Sequence, residues 1–234
     1  MVGYKASSEA FVFYRNFRVN NHGGNKPRTI VYIDGFNLYF GALKKTDFKW
    51  LDLEKLFKNL LSEHHVITQI KYFTARISAR NNDSDAPYRQ DAYLNALEKH
   101  CPLVKIYYGH FLTHKVKVKV DNPPKGCPSF VTAIDTKEKG SDVNLALHIL
   151  NDAWHDRYDC AVLVSNDSDI AEALKFAKTE HNKKIGLIIP GHRHPSTVLM
   201  QHKDFMKIIR PSVLKDSQLP SPIPGTHIHK PEKW

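Results

Sequence analysis

The chain is poor in cysteine, with three in 234 residues. Three cysteines are too few for a disulfide framework, so the sequence predicts a protein of a reducing compartment, the cytoplasm. No apolar run approaches the roughly 20 residues that span a bilayer. The first part of the chain mixes aromatic with charged side chains, which is not the pattern of a signal peptide. We therefore expect no membrane partner.

Glycine and proline are also scarce, at 11 and 13 residues, which excludes fibrous and low-complexity proteins. The 41% of apolar and 25% of charged residues are typical of a globular protein. The length allows one domain of about 200 residues or two smaller ones. A glycine-rich phosphate loop is missing, which argues against nucleotide-binding enzymes of the P-loop and dinucleotide classes.

Acidic residues are the minority charge, because 24 Asp and Glu face 34 Lys and Arg, for a formal charge of +10. This excess favours an anionic partner, nucleic acid first, although charge alone does not identify one. Residues 1–28 are predicted to form a basic N-terminal extension. Residues 211–234 contain several prolines and are predicted to form an irregular C-terminal tail.

Between these ends, short β-branched runs alternate with segments of helical period. The pattern predicts strands at 29–33, 66–75, 103–111, 160–164 and 185–189, with a sixth at 205–209. It predicts helices at 52–61, 88–99, 141–154 and 169–178. This alternation indicates an α/β fold with a mostly parallel central sheet, helices on both faces and binding sites beyond the carboxyl ends of the strands.

One segment, 112–135, interrupts the alternation and is predicted to be an inserted β-hairpin. Its first strand carries Lys115, Lys117 and Lys119 at every second position, so the three side chains share one face. Two interpretations are equally weighted: lysines that protect an edge strand from aggregation, and lysines that contact nucleic acid. Both can hold at once.

Carboxylates occupy three places at the predicted ligand-binding edge of the sheet. Asp34 follows the first strand, Asp142 opens a helix, and Asp167 and Asp169 follow the fourth strand. Each alone fits a turn or a helix cap. Converging carboxylates repel one another, and Mg²⁺ or Mn²⁺ removes that penalty and can activate water against a phosphate. Together they favour a metal site.

Four further residues are predicted to support this site. Asn37 is placed to hold Asp34 or a water on the metal, and Ser165 is placed to donate to a ligand carboxylate. Arg76, after the second strand, and Lys139, beside Asp142, are the best-placed cations for substrate phosphates.

Three motifs, Ile33–Leu38, Glu138–Ala146 and Val164–Asp169, resemble in this order the NYN domain family, a LabA-like branch of the PIN-like nucleases. The resemblance covers about residues 28–210. It implies a PIN-like Rossmannoid three-layer sandwich and metal-dependent cleavage of RNA. It also implies an acidic metal site with Asn37 beside it, formed by Asp34, Asp142, Asp167 and Asp169.

The first functional hypothesis is therefore a Mg²⁺- or Mn²⁺-dependent endoribonuclease acting on single-stranded or structured RNA. In-line attack by an activated water would leave a 5′-phosphate and a 3′-hydroxyl. The alternatives are a non-catalytic RNA-binding or protein-interaction module on the same fold, and a structure-specific DNA nuclease. The choice between monomer and homodimer stays open.

Overall fold

The structure, a computed structural model, describes residues 26–79, 83–191 and 194–234. Nearly all of the predicted basic N-terminal extension lies outside these residues. Within the described part of the chain, no helix is both long and apolar enough to cross a membrane.

A sheet of six strands forms the centre of the described chain, and every neighbouring pair in it is parallel. In spatial order the strands are β3 (Val104–Tyr108), β2 (Val66–Thr74), β1 (Arg28–Asp34), β6 (Cys160–Val164), β7 (Lys184–Ile189) and β8 (Phe205–Ile208). The predicted α/β class is confirmed. From β1 the chain first adds β2 and β3 on one side of the sheet and later adds β6, β7 and β8 on the other side. In open α/β sheets, such a switch point creates a crevice beyond the carboxyl ends of the two central strands, here β1 and β6.

Helices cover both faces of the sheet. They are α1 (Gly35–Leu38), α2 (Leu53–Leu60), α3 (Ala86–His100), α4 (Ser141–Trp154), α5 (Ala171–Thr179), α6 (Thr197–Met200) and α7 (Pro211–Asp216). One apolar cluster joins the sheet to α2, α3 and α7, and a second joins it to α4, α5 and α6. Successive β1 residues alternate between them, since Val31 and Ile33 join the first cluster while Ile30 and Tyr32 join the second. The fold is therefore a three-layer sandwich.

The hairpin is longer than predicted, and the third strand is shorter. The predicted strand 103–111 ends at Tyr108, and the two hairpin strands are β4 (His110–Lys119) and β5 (Phe130–Lys139). Gly109 makes the break possible: a Cβ there would lie 2.2 Å from Glu138 Oε1 and 2.7 Å from the Lys139 carbonyl oxygen. The base of the hairpin therefore approaches the main domain too closely for any side chain at position 109.

The C-terminal segment packs against the domain, although the sequence predicted an irregular tail. It begins with α7, and Leu214, Leu219 and Ile223 are buried in the first apolar cluster. The Trp234 ring lies edge-on to Trp50, with centroids 5.6 Å apart. Prolines prevent a long helix or strand here, but the apolar residues between them still reach the core.

Candidate functional site

Asp34 is buried at the carboxyl end of β1, and its carboxylate is held from two sides. Its oxygens accept hydrogen bonds from the Asn37 backbone N–H at 2.9 Å, from Asn37 Nδ2 at 2.6 Å and from Ser165 Oγ at 3.1 Å. Burial raises the pKa of Asp34, and these hydrogen bonds oppose the rise. The chain can turn here because residue 35 is glycine; a Cβ would lie 2.7 Å from the Phe73 carbonyl oxygen. Asn37 and Ser165, both predicted to support the site, thus hydrogen-bond to the Asp34 carboxylate.

Ser165 links Asp34 to the acidic loop after β6. Its Oγ donates to Asp34 and accepts from the Asp167 backbone N–H at 3.0 Å. Asp167 then caps a short 3₁₀ turn, Ser168–Ile170, by accepting from the Asp169 N–H at 3.0 Å. The predicted helix at 169–178 therefore begins as this turn and continues as α5 from Ala171. The Asp169 side chain is exposed.

Asp142 lies in the first turn of α4, whose bounds match the predicted helix. The preceding strand, β5, is attached to this helix end because Glu138 Oε1 accepts from the Ser141 N–H at 3.1 Å and from Ser141 Oγ at 2.7 Å. Gly140 forms the junction with a φ of 96°, in the left-handed region. The hairpin base and Asp142 are therefore held together at one place.

The carboxylates influence one another electrostatically. The pKa of Asp142 is raised to about 6, first by burial and then by the negative charges of Asp34, Asp167, Glu138 and Asp169. The three acidic segments predicted from the sequence are therefore close enough for their charges to interact. Glu138 belongs to the same group, although the sequence identified it only as the first residue of the Glu138–Ala146 motif.

The donor set suits a hard divalent cation, because it offers carboxylate oxygens whose mutual repulsion such a cation would relieve. Among the described residues, no three His, Cys, Asp or Glu side chains form a group that could hold a metal ion. Mg²⁺ characteristically binds through one or two carboxylates, several waters and substrate phosphates rather than inside a complete protein cage. One or two of Asp34, Asp142 and Asp167 would hold it, together with waters and the phosphate of a substrate.

The predicted cations differ in their surroundings. Arg76 forms an exposed ion pair with Asp91, and its guanidinium carbon lies 5.0 Å from the centroid of the Tyr108 ring. Its charge is therefore shared with a neighbouring carboxylate. Lys139 is exposed at the last position of β5, three residues before Asp142.

Lys115, Lys117 and Lys119 lie along the hairpin, which in the described chain forms a separate two-stranded sheet. The antiparallel register places them on one face together with Ile134, Thr132 and Phe130. At a rise of about 3.4 Å per residue, Lys115 is about 17 Å and Lys119 about 30 Å from the His110–Lys139 pair at the hairpin base. We call β4 and β5 together the arm; Lys115, Lys117 and Lys119 on it stand well away from the carboxylates.

A buried ion pair behind the site was not predicted. Lys71 Nζ contacts Asp152 Oδ2 at 2.5 Å, and the two side chains are 4% and 0% exposed. Tyr32 Oη donates to the same carboxylate at 2.7 Å, and Arg157 donates to its second oxygen at 2.9 Å. Burial opposes charge on Asp152, but the three hydrogen bonds outweigh it and lower its pKa. Burial also lowers the pKa of Lys71.

This pair connects the elements that carry the acidic site. Tyr32 precedes Asp34 by two residues on β1, and Asp152 lies on α4, the helix that begins beside Asp142. His148, on the same helix, packs its ring 4.2 Å from the Tyr107 ring and lies 3.2 Å from Lys71 Nζ. The network therefore fixes α4 against β1 and β2.

Comparisons with known proteins agree with this architecture. The NYN domain model matches residues 28–209, a range that includes all three acidic segments. The chain is 35% identical over 237 residues to 6-hydroxy-3-succinoylpyridine 3-monooxygenase HspA of Pseudomonas putida (strain DSM 28022 / S16), covering 88% of this chain and 75% of that protein. A crystal structure of a protein of unknown function, VPA0982 from Vibrio parahaemolyticus RIMD 2210633, has the same fold, with a TM-score of 0.50 and 19% identity over 84% of this chain and 98% of the other. The expected PIN-like layout is confirmed, and the chain belongs to the NYN domain family.

Proposed function

We propose that the protein is a Mg²⁺- or Mn²⁺-dependent endoribonuclease whose reaction centre is the group of carboxylates around Asp34, Asp142 and Asp167. The observation that carries this proposal is the pKa of Asp142, raised to about 6 by burial and by the surrounding carboxylates. Burial is the largest cause of this shift, and the repulsion that adds to it destabilises the fold until a divalent cation relieves it. Membership of the NYN domain family, within the PIN-like nuclease superfamily, supports the same reaction class.

Each residue has a role that follows from its contacts. Asn37 and Ser165 orient the Asp34 carboxylate through hydrogen bonds, so that it is already fixed before substrate arrives. Asp142 and Asp167 complete the oxygen donors from α4 and from the loop after β6, while exposed Asp169 stands at the rim. When bound, the cation lowers the pKa of water and neutralises charge on the phosphate. Lys139 is placed to bind a phosphate beside the scissile one.

The test is cleavage of a labelled RNA panel in Mn²⁺, Mg²⁺ or EDTA, with analysis of the product ends. We expect wild-type protein to give 5′-phosphate and 3′-hydroxyl ends only with metal, and Asp34→Asn and Asp167→Asn to lose cleavage. Asp216→Asn, at an exposed aspartate on α7 across the sheet from α4, is the matched control and should cleave normally. Cleavage that survives both site substitutions would refute the proposal.

Binding of the metal is measured separately from turnover. Mn²⁺ should raise the melting temperature of wild type and Asp216→Asn, and raise that of Asp34→Asn less. RNA binding without any metal-dependent turnover would instead support a non-catalytic module. Parallel DNA substrates separate a ribonuclease from a structure-specific DNA nuclease.

A second candidate is hydroxylation of a hydroxypyridine, and the 35% identity to a monooxygenase favours it. A monooxygenase places one oxygen atom of O₂ in the product and reduces the other to water, so it needs an external two-electron donor. Oxygen uptake with 6-hydroxy-3-succinoylpyridine and a panel of reductants tests this candidate. Oxygen uptake that depends on 6-hydroxy-3-succinoylpyridine, in a protein that does not cleave RNA, would refute the nuclease proposal in favour of hydroxylation.

A further inference from the structure

A group of aromatic rings lies beside the carboxylates and outside the folded core. Phe36 follows Asp34 by two residues, and its ring is roughly parallel to that of Phe40, with centroids 6.5 Å apart. The Phe111 ring meets Phe36 edge-on at 5.8 Å. Phe111 lies on β4 directly opposite Glu138, the residue that holds the start of α4. The ring cluster, Phe36, Phe40 and Phe111, therefore bridges the segments that carry Asp34 and Asp142.

Packing of the domain does not explain these rings. Neither apolar cluster of the described residues includes any of the three. Phe40 is 51% exposed, and Phe36 and Phe111 are half-buried. Exposed aromatic rings grouped at the mouth of a polar site are a common feature of ligand recognition.

The charges around the ring cluster favour a nucleotide as the ligand. Lys44 Nζ lies 4.9 Å from the centroid of the Phe40 ring, so a cation stands next to an aromatic face. A positive charge beside a stacking surface matches the phosphate and the base of one nucleotide. Phe36 and Phe40 come two and six residues after Asp34, so a nucleotide whose phosphate lies at the carboxylates has these rings nearby for its base.

We propose that the ring cluster stacks a base of single-stranded RNA next to the scissile phosphate, with Lys44 binding a neighbouring phosphate. This inference rests on the proposed function for its ligand. It also specifies the substrate: a base in a duplex is already stacked, whereas an unpaired base is free to leave its neighbours and bind the rings.

The test is equilibrium binding of a fluorescent single-stranded oligoribonucleotide, measured in EDTA so that cleavage does not interfere. We expect Phe40→Ala and Phe111→Ala each to weaken binding about 5- to 150-fold, the range for losing one base–aromatic stack. Phe40→Trp should retain affinity because stacking requires only an aromatic face. Trp154→Ala is the matched control: it removes a ring that is 75% exposed at the other end of α4 from Asp142, about 18 Å along the helix.

A stacking signal separates this role from loss of structure. An oligoribonucleotide with 2-aminopurine should be quenched by wild type and Phe40→Trp, but not by Phe40→Ala at saturating protein. An oligoribonucleotide that lacks the base at this position should bind wild type and Phe40→Ala equally. Equal quenching by wild type and Phe40→Ala, or capture of 6-hydroxy-3-succinoylpyridine by the ring cluster with no affinity for RNA, would overturn the inference.

The outcomes distinguish this inference from the proposed function. Quenching that depends on Phe40, in a protein that never cleaves RNA with Mn²⁺, supports the stacking site and refutes the nuclease. Metal-dependent cleavage with unchanged RNA affinity in Phe40→Ala and Phe111→Ala supports the nuclease and refutes the stacking site.

Discussion

Lys71→Met removes the cation of a buried ion pair and leaves the Asp152 carboxylate charged in the interior. Removing one partner of such a pair costs about 3–5 kcal/mol. Tyr32 and Arg157 still donate to Asp152 in this variant, at 2.7 and 2.9 Å, so we expect the lower end, about 3 kcal/mol. At about 2–4 °C per kcal/mol for a chain of this size, the melting temperature should fall by about 6–12 °C.

Asp152→Leu should cost more, about 5 kcal/mol, for two reasons. It leaves Lys71 with the ring nitrogen of His148 at 3.2 Å instead of a carboxylate. It also removes the acceptor of the buried Tyr32 hydroxyl.

The double variant Lys71→Met/Asp152→Leu should be more stable than the sum of the single losses predicts, because no unpaired charge remains inside. It should still lose about 1–3 kcal/mol for the Tyr32 hydroxyl, which is then buried without its acceptor. Adding Tyr32→Phe should recover most of that loss.

Urea unfolding of wild type and the four variants measures these free energies, and equal slopes against urea would exclude a change in the unfolded state. Single-variant losses that simply add in the double variant would refute the coupling between Lys71 and Asp152. Mn²⁺ titration of the triple variant, Lys71→Met/Asp152→Leu with Tyr32→Phe, then tests whether the ion pair positions α4. We expect this variant to be nearly as stable as wild type but to bind Mn²⁺ more weakly.

Three further predictions concern pH, charge crowding and the arm. Burial and neighbouring cations lower the pKa of His65. Its contribution to stability is therefore present above about pH 6.5 and is lost as the pH falls through the folded-state pKa. Between pH 7.5 and 5.5 the melting temperature of His65→Gln should decline less than that of wild type, and an equal decline would contradict this. Asp142→Asn should raise the melting temperature in metal-free buffer at pH 7.5 because it removes one repelling carboxylate. The further increase in melting temperature on adding Mn²⁺ should be smaller than in wild type. A lower melting temperature without metal would contradict repulsion among the carboxylates. Replacing Lys115, Lys117 and Lys119 by Gln should lower the slope of log Kd against log salt concentration for single-stranded RNA binding by about 2, because each lost phosphate contact lowers it by about 0.7. An unchanged slope would contradict RNA contact and leave edge protection as the role of these lysines.

The acidic site was predictable because a parallel sheet brings distant sequence positions to one edge. Asp34 and Asp167 follow strands that proved to be neighbours, and the sequence pattern located both strands within a residue or two. The helical pattern at 141–154 gave the bounds of α4 and therefore the position of Asp142, but it predicted the wrong inward face: Val143, Leu147 and Trp154 are exposed, and Leu145 and Ile149 are buried instead. These features depend on local periodicity and on one general rule of topology.

Glu138 and the buried ion pair were missed for a different reason. Glu138 joins the site because β5 extends to Lys139, whereas apolar alternation along that strand ends at Ile134. Lys71 appears in the sequence as an ordinary polar position of a strand, and Asp152 as a solvent-facing helical residue. They are 81 positions apart and pair only after the sheet and α4 have packed together, so no local pattern reports the contact.

The local electrostatics of Asp142 separate structural from functional explanations of the carboxylates. A first-turn position on α4 gives Asp142 the favourable partial charge of a helix N-terminus, which stabilises the ionised form. Its pKa is nevertheless raised to about 6, by burial first and then by the charges of Asp34, Asp167, Glu138 and Asp169. Helix capping alone would have produced the opposite shift. The repulsion among the carboxylates adds to the burial cost of Asp142, and a divalent cation bound there with a phosphate would relieve both, which is why the proposal places the reaction at these residues.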